Sequence, residues 1–155
     1  MRNNTLIYEI KFQKALKETR IHINRINEAF EELLQNYQFP LIKHNFEDLI
    51  NNKINLAFAD QIIYRFSKAQ DTMGAKLFKT YMLSQGENID RPFLDILNSL
   101  EKLNILNVDE WFELREIRNE IAHDYEDNEE LALNILNSIY KHKVELEKII
   151  TYLQK

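Results

Sequence analysis

The chain contains no cysteine, so disulfide scaffolds, thiolate nucleophiles and thiolate zinc sites are excluded. Only two glycines and two prolines occur in 155 residues. Turn-rich β-sandwiches and barrels need those residues at their corners, and flexible or Pro-rich linkers are built from them, so none of these is expected. No apolar run approaches the roughly 20 residues that span a bilayer. The stretch Met1 to Ile10 lacks a signal-peptide core. The expectation is a soluble cytoplasmic protein with no membrane partner. Positive charge is also scarce: 20 Lys and Arg stand against 25 Asp and Glu, a net charge of -5. A general nucleic-acid coat would be basic, which leaves room only for a local cationic site.

What is present is helical. The 45% hydrophobic and 29% charged content is that of a globular chain, and the length suits one domain over residues 1–155. From about Thr5 to Tyr37, Ile23, Ile26, Phe30, Leu33, Leu34 and Tyr37 recur at helical steps, and Pro40 closes the segment. A short piece comes next at Phe46 to Ile50. The second long segment, Ile54 to Ser84, carries the stripe Ile62, Phe66, Ala69, Met73 and Leu77. Gly74 inside it is costly in a helix, so a close backbone neighbour is expected there, and Gly86 suits a left-handed closing residue.

Asp90-Arg91-Pro92 reads as the start of a shorter helix ending near Leu103. Asn107 with Glu110, and Asp127 with Glu130, have capping-box spacing ahead of helices at about Val108–Ala122 and Asn128–Leu153. The last carries Ile135, Ile139, Leu146, Ile149, Ile150 and Leu153 as its core stripe. The expected fold is all-α: an up-and-down four-helix bundle with short accessory helices.

One stretch carries chemistry: Arg115-Glu-Ile-Arg118-Asn119-Glu-Ile-Ala-His123-Asp-Tyr125. Arg118 and His123 lie about 140° apart on an ideal helix, so they do not share a face. They converge only if the helix ends near Ala122, or if each meets its counterpart on a second subunit. Together they suit phosphodiester chemistry. Histidine exchanges protons near neutral pH, and arginine offers forked donors to the oxygens where negative charge grows. RNA brings its own 2′-hydroxyl nucleophile, so no metal is required, and no ligand cluster is visible in the sequence.

Arg118-Asn119-x-x-x-His123-x-Tyr125 resembles the motif of the HEPN superfamily in the form found in HepT-like toxins. Tyr64-Arg65-Phe66 and Trp111 are similar to features of HEPN proteins paired with minimal nucleotidyltransferases. The resemblance implies a HEPN-like bundle that forms a homodimer with both motifs facing one cleft, and a metal-independent ribonuclease without cofactor. It implies Arg118 and His123 as catalytic, Asn119 as a brace, and Tyr125 as the residue that a MntA-like antitoxin nucleotidyltransferase modifies with AMP. Added phosphate charge beside His123 would then repel RNA.

Plainer roles exist for the same residues. Arg118 can pair with Glu113, Glu116 or Glu120, His123 can cap a helix end, and Tyr125 can pack its ring. His22 and His142, in long helices, and His44, in a loop, read as structural or solvated. Arg65, Lys68, Lys76 and Lys79 give the second long helix a basic character, either a solvated face or a wall that contacts RNA. The motif's own surroundings are acidic: Glu110, Glu113, Glu116, Glu120, Asp124, Glu126, Asp127, Glu129 and Glu130. The alternative is therefore a non-catalytic subunit that presents nucleotide or substrate to a nucleotidyltransferase. Third comes a helical scaffold.

Overall fold

Seven α-helices and one π-helical turn account for most of the described residues, with no strand among them. The computed structural model describes residues 2–123 and 125–154, with side chains from Asn4 onward. The helices are α1 (Arg2–Leu33), α2 (Lys43–Ile50), α3 (Lys53–Thr72), α4 (Phe78–Ser84), α5 (Phe93–Lys102), α6 (Val108–Ile121) and α7 (Glu129–Leu153). The π turn, Met73–Leu77, joins α3 to α4 without a break.

Apart from Leu34, the helical stripes read from the sequence lie on buried or part-buried faces. Ile62, Phe66, Ala69, Met73 and Leu77 are all fully buried, as are Leu33 of α1 and Ile135 and Ile139 of α7. Leu114 and Ile117 of α6 and Leu97 and Leu100 of α5 join them in one cluster. Burying one such side chain contributes about 1.5–3 kcal/mol, and this apolar seam holds the helices together.

The pairings give the directions. Along α1 and the α3–α4 rod, Tyr37 meets Asn55, His22 meets Arg65 and Phe12 meets Tyr81, so the two run oppositely. Asp71 meets Arg118 and Phe78 meets Trp111, which sets α6 against the same rod. Asn27 bonds Glu147 while Phe30 packs on Tyr140, which sets α7 against α1.

Helix ends obey local chemistry. Asn52 accepts from the backbone of Ile54 and Asn55 at 3.0 and 3.1 Å, capping α3. Asn52→Ala is expected to cost about 1 kcal/mol, read as a lower urea midpoint at unchanged slope; an unshifted midpoint would deny the cap any role. Gly86 has φ of 80°, and the bonds Gly86 N to Leu83 O and Glu87 N to Met82 O close α4 in a Schellman turn. Asn104, at φ of 60°, closes α5 in the same way, from Ile105 N to Leu100 O.

Several boundaries differ from the sequence reading. The first helix ends at Leu33 rather than Tyr37, because the next turn tightens into bonds three residues back. That turn leaves Leu34 off the stripe and exposed. At α6, Asn107 accepts from the backbone N–H of Glu110 as expected, and Glu101 accepts from the neighbouring Val108 N–H. At α7 the cap is Asn128, accepting from Leu131 N, rather than Asp127. His44 lies in the first turn of α2, not in a loop. The close neighbour of Gly74 is the Trp111 ring and not a backbone: a Cβ there would meet Cζ2 at an ordinary 3.7 Å.

Candidate functional site

The motif occupies the C-terminal end of α6. The helix stops at Ile121 with Ala122 as its cap, so His123 sits just past the end, as convergence with Arg118 requires. Its ring is exposed and makes no hydrogen bond or ion pair with another described residue. Arg118 is held against α3. Its Nε and Nη2 donate to the two carboxylate oxygens of Asp71 on α3 at 3.0 and 3.1 Å. None of the nearby glutamates proposed as partners takes that role. A forked pair fixes the guanidinium plane and leaves the Nη1 side of the five-donor group available.

Asn119 is exposed and braces no described residue by a side-chain bond. With Phe112 and Glu116 it lies at spacings of four and three, an open face of α6 on which the Phe112 ring is 46% exposed. Asp124 lies outside the described residues. Tyr125 is half-buried and packs on the core. It lines a cavity of about 420 Å³ together with Phe46, Ala59, Asp60, Glu126 and Glu129. Burial, then the charges of Asp60 and Glu126, push its phenol above the ordinary range. Burial likewise raises Asp60.

The acidic residues around the motif do not surround it evenly. Glu113 faces α7, where it lies 3.5 Å from His142 Nδ1, and Glu145 lies 3.1 Å from the same atom. Burial raises the Glu145 carboxyl, an effect opposed by His142 and reinforced by Glu110 and Glu113. Glu126 and Glu129 border the Tyr125 cavity. The α3-facing side of α6 is cationic instead, with Arg115 beside Gln70 and Arg118 on Asp71.

Glu113, His142 and Glu145 place ligand-type atoms within 4.8 Å of one another, a grouping that the sequence reading missed. Its visible signal was His142 and Glu145 one turn apart. The His142 Nδ1 contacts to both carboxylates hold this cluster together.

The basic residues of the α3–α4 rod do not form one wall. Arg65 Nη1 lies 3.1 Å from His22 Nδ1 of α1, and Lys76 pairs with Glu18 of α1 at 3.5 Å. Lys68 sits over the exposed Tyr64 ring. Only Lys79 of the four lines the groove beside α6. The π turn adds a residue to one turn and so rotates the remainder of the rod by about 100°, taking Lys79 off the stripe of Arg65 and Lys68.

His22 has a structural consequence. Burial first, then Arg65 and Lys68 on α3, lower its pKa from 6.5, against the opposing charge of Glu18 on its own helix. The unfolded chain therefore takes up the proton first. Stability falls as pH drops below about 6.5 and levels once the folded protein also binds it. His22→Gln is expected to flatten the stability profile between pH 7 and 5; an identical slope would remove His22 as its source.

No known family profile, characterised protein or solved structure matches the chain.

Proposed function

We propose that the protein is a metal-independent endoribonuclease of the HEPN type, working as a homodimer in the cytoplasm and serving as the toxin of a toxin–antitoxin pair. The observation that carries this reading is the motif geometry at the end of α6. Arg118 is anchored at its guanidinium by Asp71, and the His123 ring is exposed and bonded to no other described residue, one position past the helix cap. The alternating directions of α1, the α3–α4 rod, α6 and α7 support an up-and-down four-helix bundle. The open face with Phe112 and Asn119 supports pairing of two copies at the motif.

In the proposed reaction His123 takes the proton of an RNA 2′-hydroxyl, and that oxygen attacks the adjacent phosphorus. The bond from phosphorus to the 5′-oxygen breaks, and the leaving oxygen takes a proton from the second copy's imidazolium. A 2′,3′-cyclic phosphate and a 5′-hydroxyl result. Arg118 stabilises the non-bridging oxygens through donors not used by Asp71. Antitoxin control is proposed at Tyr125. Its raised phenol keeps its proton, so a MntA-like transferase must supply the base that removes it as AMP is added.

The test is incubation with RNA in a chelating buffer and analysis of the ends. Cyclic phosphate and 5′-hydroxyl products are expected, and intact RNA would reject the reading. A second reading, a nucleotide-presenting partner of a transferase without nuclease activity, draws on the carboxylates of Asp60, Glu126 and Glu129 around Tyr125, which suit a basic protein surface. Of the trio Tyr64-Arg65-Phe66 that also suggested it, Phe66 is fully buried and Arg65 engages His22.

A further inference from the structure

A groove of about 430 Å³ opens between the π turn and α6, next to the Asp71–Arg118 pair. Four features point to its ligand. The side chains of Lys79 and Arg115 line it, and Asp71, the lone carboxylate among the described residues of its walls, is already neutralised by Arg118. On a chain of net charge -5, this is a local excess of positive charge. Gln70 is fully buried and also lines the groove; its Oε1 accepts from Arg115 at 3.4 Å, while its Nε2 has no partner among the described residues. A buried amide donor left unpaired is costly, and an acceptor supplied by a ligand would offset that cost. Phe93 and Trp111 complete the walls. Finally, the groove is built on a π turn, an irregularity that occurs frequently at functional sites.

Two cations, a buried donor and aromatic walls together match a phosphate that carries a base. We propose that this groove binds one nucleoside phosphate unit, with Lys79 and Arg115 on the phosphate and Gln70 Nε2 donating to an acceptor of the ligand. Arg115 and Arg118 are three residues apart on one helix and so project side by side. On the ribonuclease reading, on which this part rests, the groove holds the nucleotide next to the scissile phosphate.

Trp111 is the only tryptophan in the chain and lies in the groove wall, so its emission reports occupancy. The probes are a 2′-O-methyl RNA hexamer, which lacks the nucleophile for cleavage, uridine 5′-monophosphate and inorganic phosphate. The hexamer is expected to change Trp111 emission in the wild type. Lys79→Ala and Arg115→Ala, both at accessible positions, should each weaken binding about tenfold. Tighter binding of the hexamer than of the mononucleotide assigns RNA as the source, and equal binding assigns a free nucleotide; either supports the site.

Unchanged emission with every probe, or wild-type affinity in both variants, overturns it. If the hexamer binds as expected but the wild type cuts no RNA, the nuclease reading falls and the groove stands. If RNA is cut while both variants bind normally, the reverse holds.

Discussion

His123→Ala is expected to lower RNA cleavage by a factor of about 10²–10⁴, the range over which a positioned proton-transfer group contributes. The folded protein should scarcely notice, because the ring is exposed and bonded to no other described residue. Such surface changes lie within about 0.5 kcal/mol. Loss of activity at unchanged thermal midpoint therefore separates a chemical role from a scaffolding one. Equal cleavage by wild type and variant would end the nuclease proposal.

Arg118→Ala makes a less clean companion, since it leaves the half-exposed Asp71 without its partner as well as removing the cation. Arg118→Lys is more informative. It keeps the charge but cannot reproduce the fork to Asp71, so partial activity would show that orientation matters beyond charge.

Phe66→Ala should produce the largest loss of stability, about 3–5 kcal/mol. Phe66 is fully buried in the α3 stripe between Ile62 and Ala69, and truncating it leaves a void among helices too closely packed to collapse into it. Against a typical total of about 5–15 kcal/mol, that is enough to bring a domain near unfolding. Tyr64→Ala is the control: two residues away, its ring is 53% exposed, and little change is expected. Urea titration of both decides the matter. A loss below about 1 kcal/mol at Phe66 would contradict the packing described for α3.

The range over which each interaction acts decides how much of this is legible in the chain order. Helix periodicity, the left-handed Gly86 and the Asn107 cap depend on residues a few positions apart, and the sequence reveals them directly. Asn128 displaces Asp127 as a cap because either side chain suits that role and only the direction in which the chain enters α7 selects one. The end of α1 differs from expectation for a related reason. Leu34 continues the apolar count, but the chain turns after Leu33 and Phe39 packs on Phe30 and Tyr140, contacts that chain order does not reveal.

The candidate site divides in the same way. That Arg118 and His123 flank a helix end is legible, since an arginine, a histidine and the polar run that stops the helix are neighbours in the chain. That Asp71 rather than a nearby glutamate grips Arg118 is not, because 47 positions separate them and only packing of α6 on α3 brings them together. The basic residues show this most plainly: composition places four cations on one helix, yet a single π turn sends Lys79 to the α6 groove and leaves Arg65 and Lys76 facing α1. Local order thus dictates which segments coil and which side of each is greasy. Charge partners, grooves and the side on which a cation emerges come from how the coils lie against one another, because electrostatic and packing contacts depend on distance in space and not on distance along the chain.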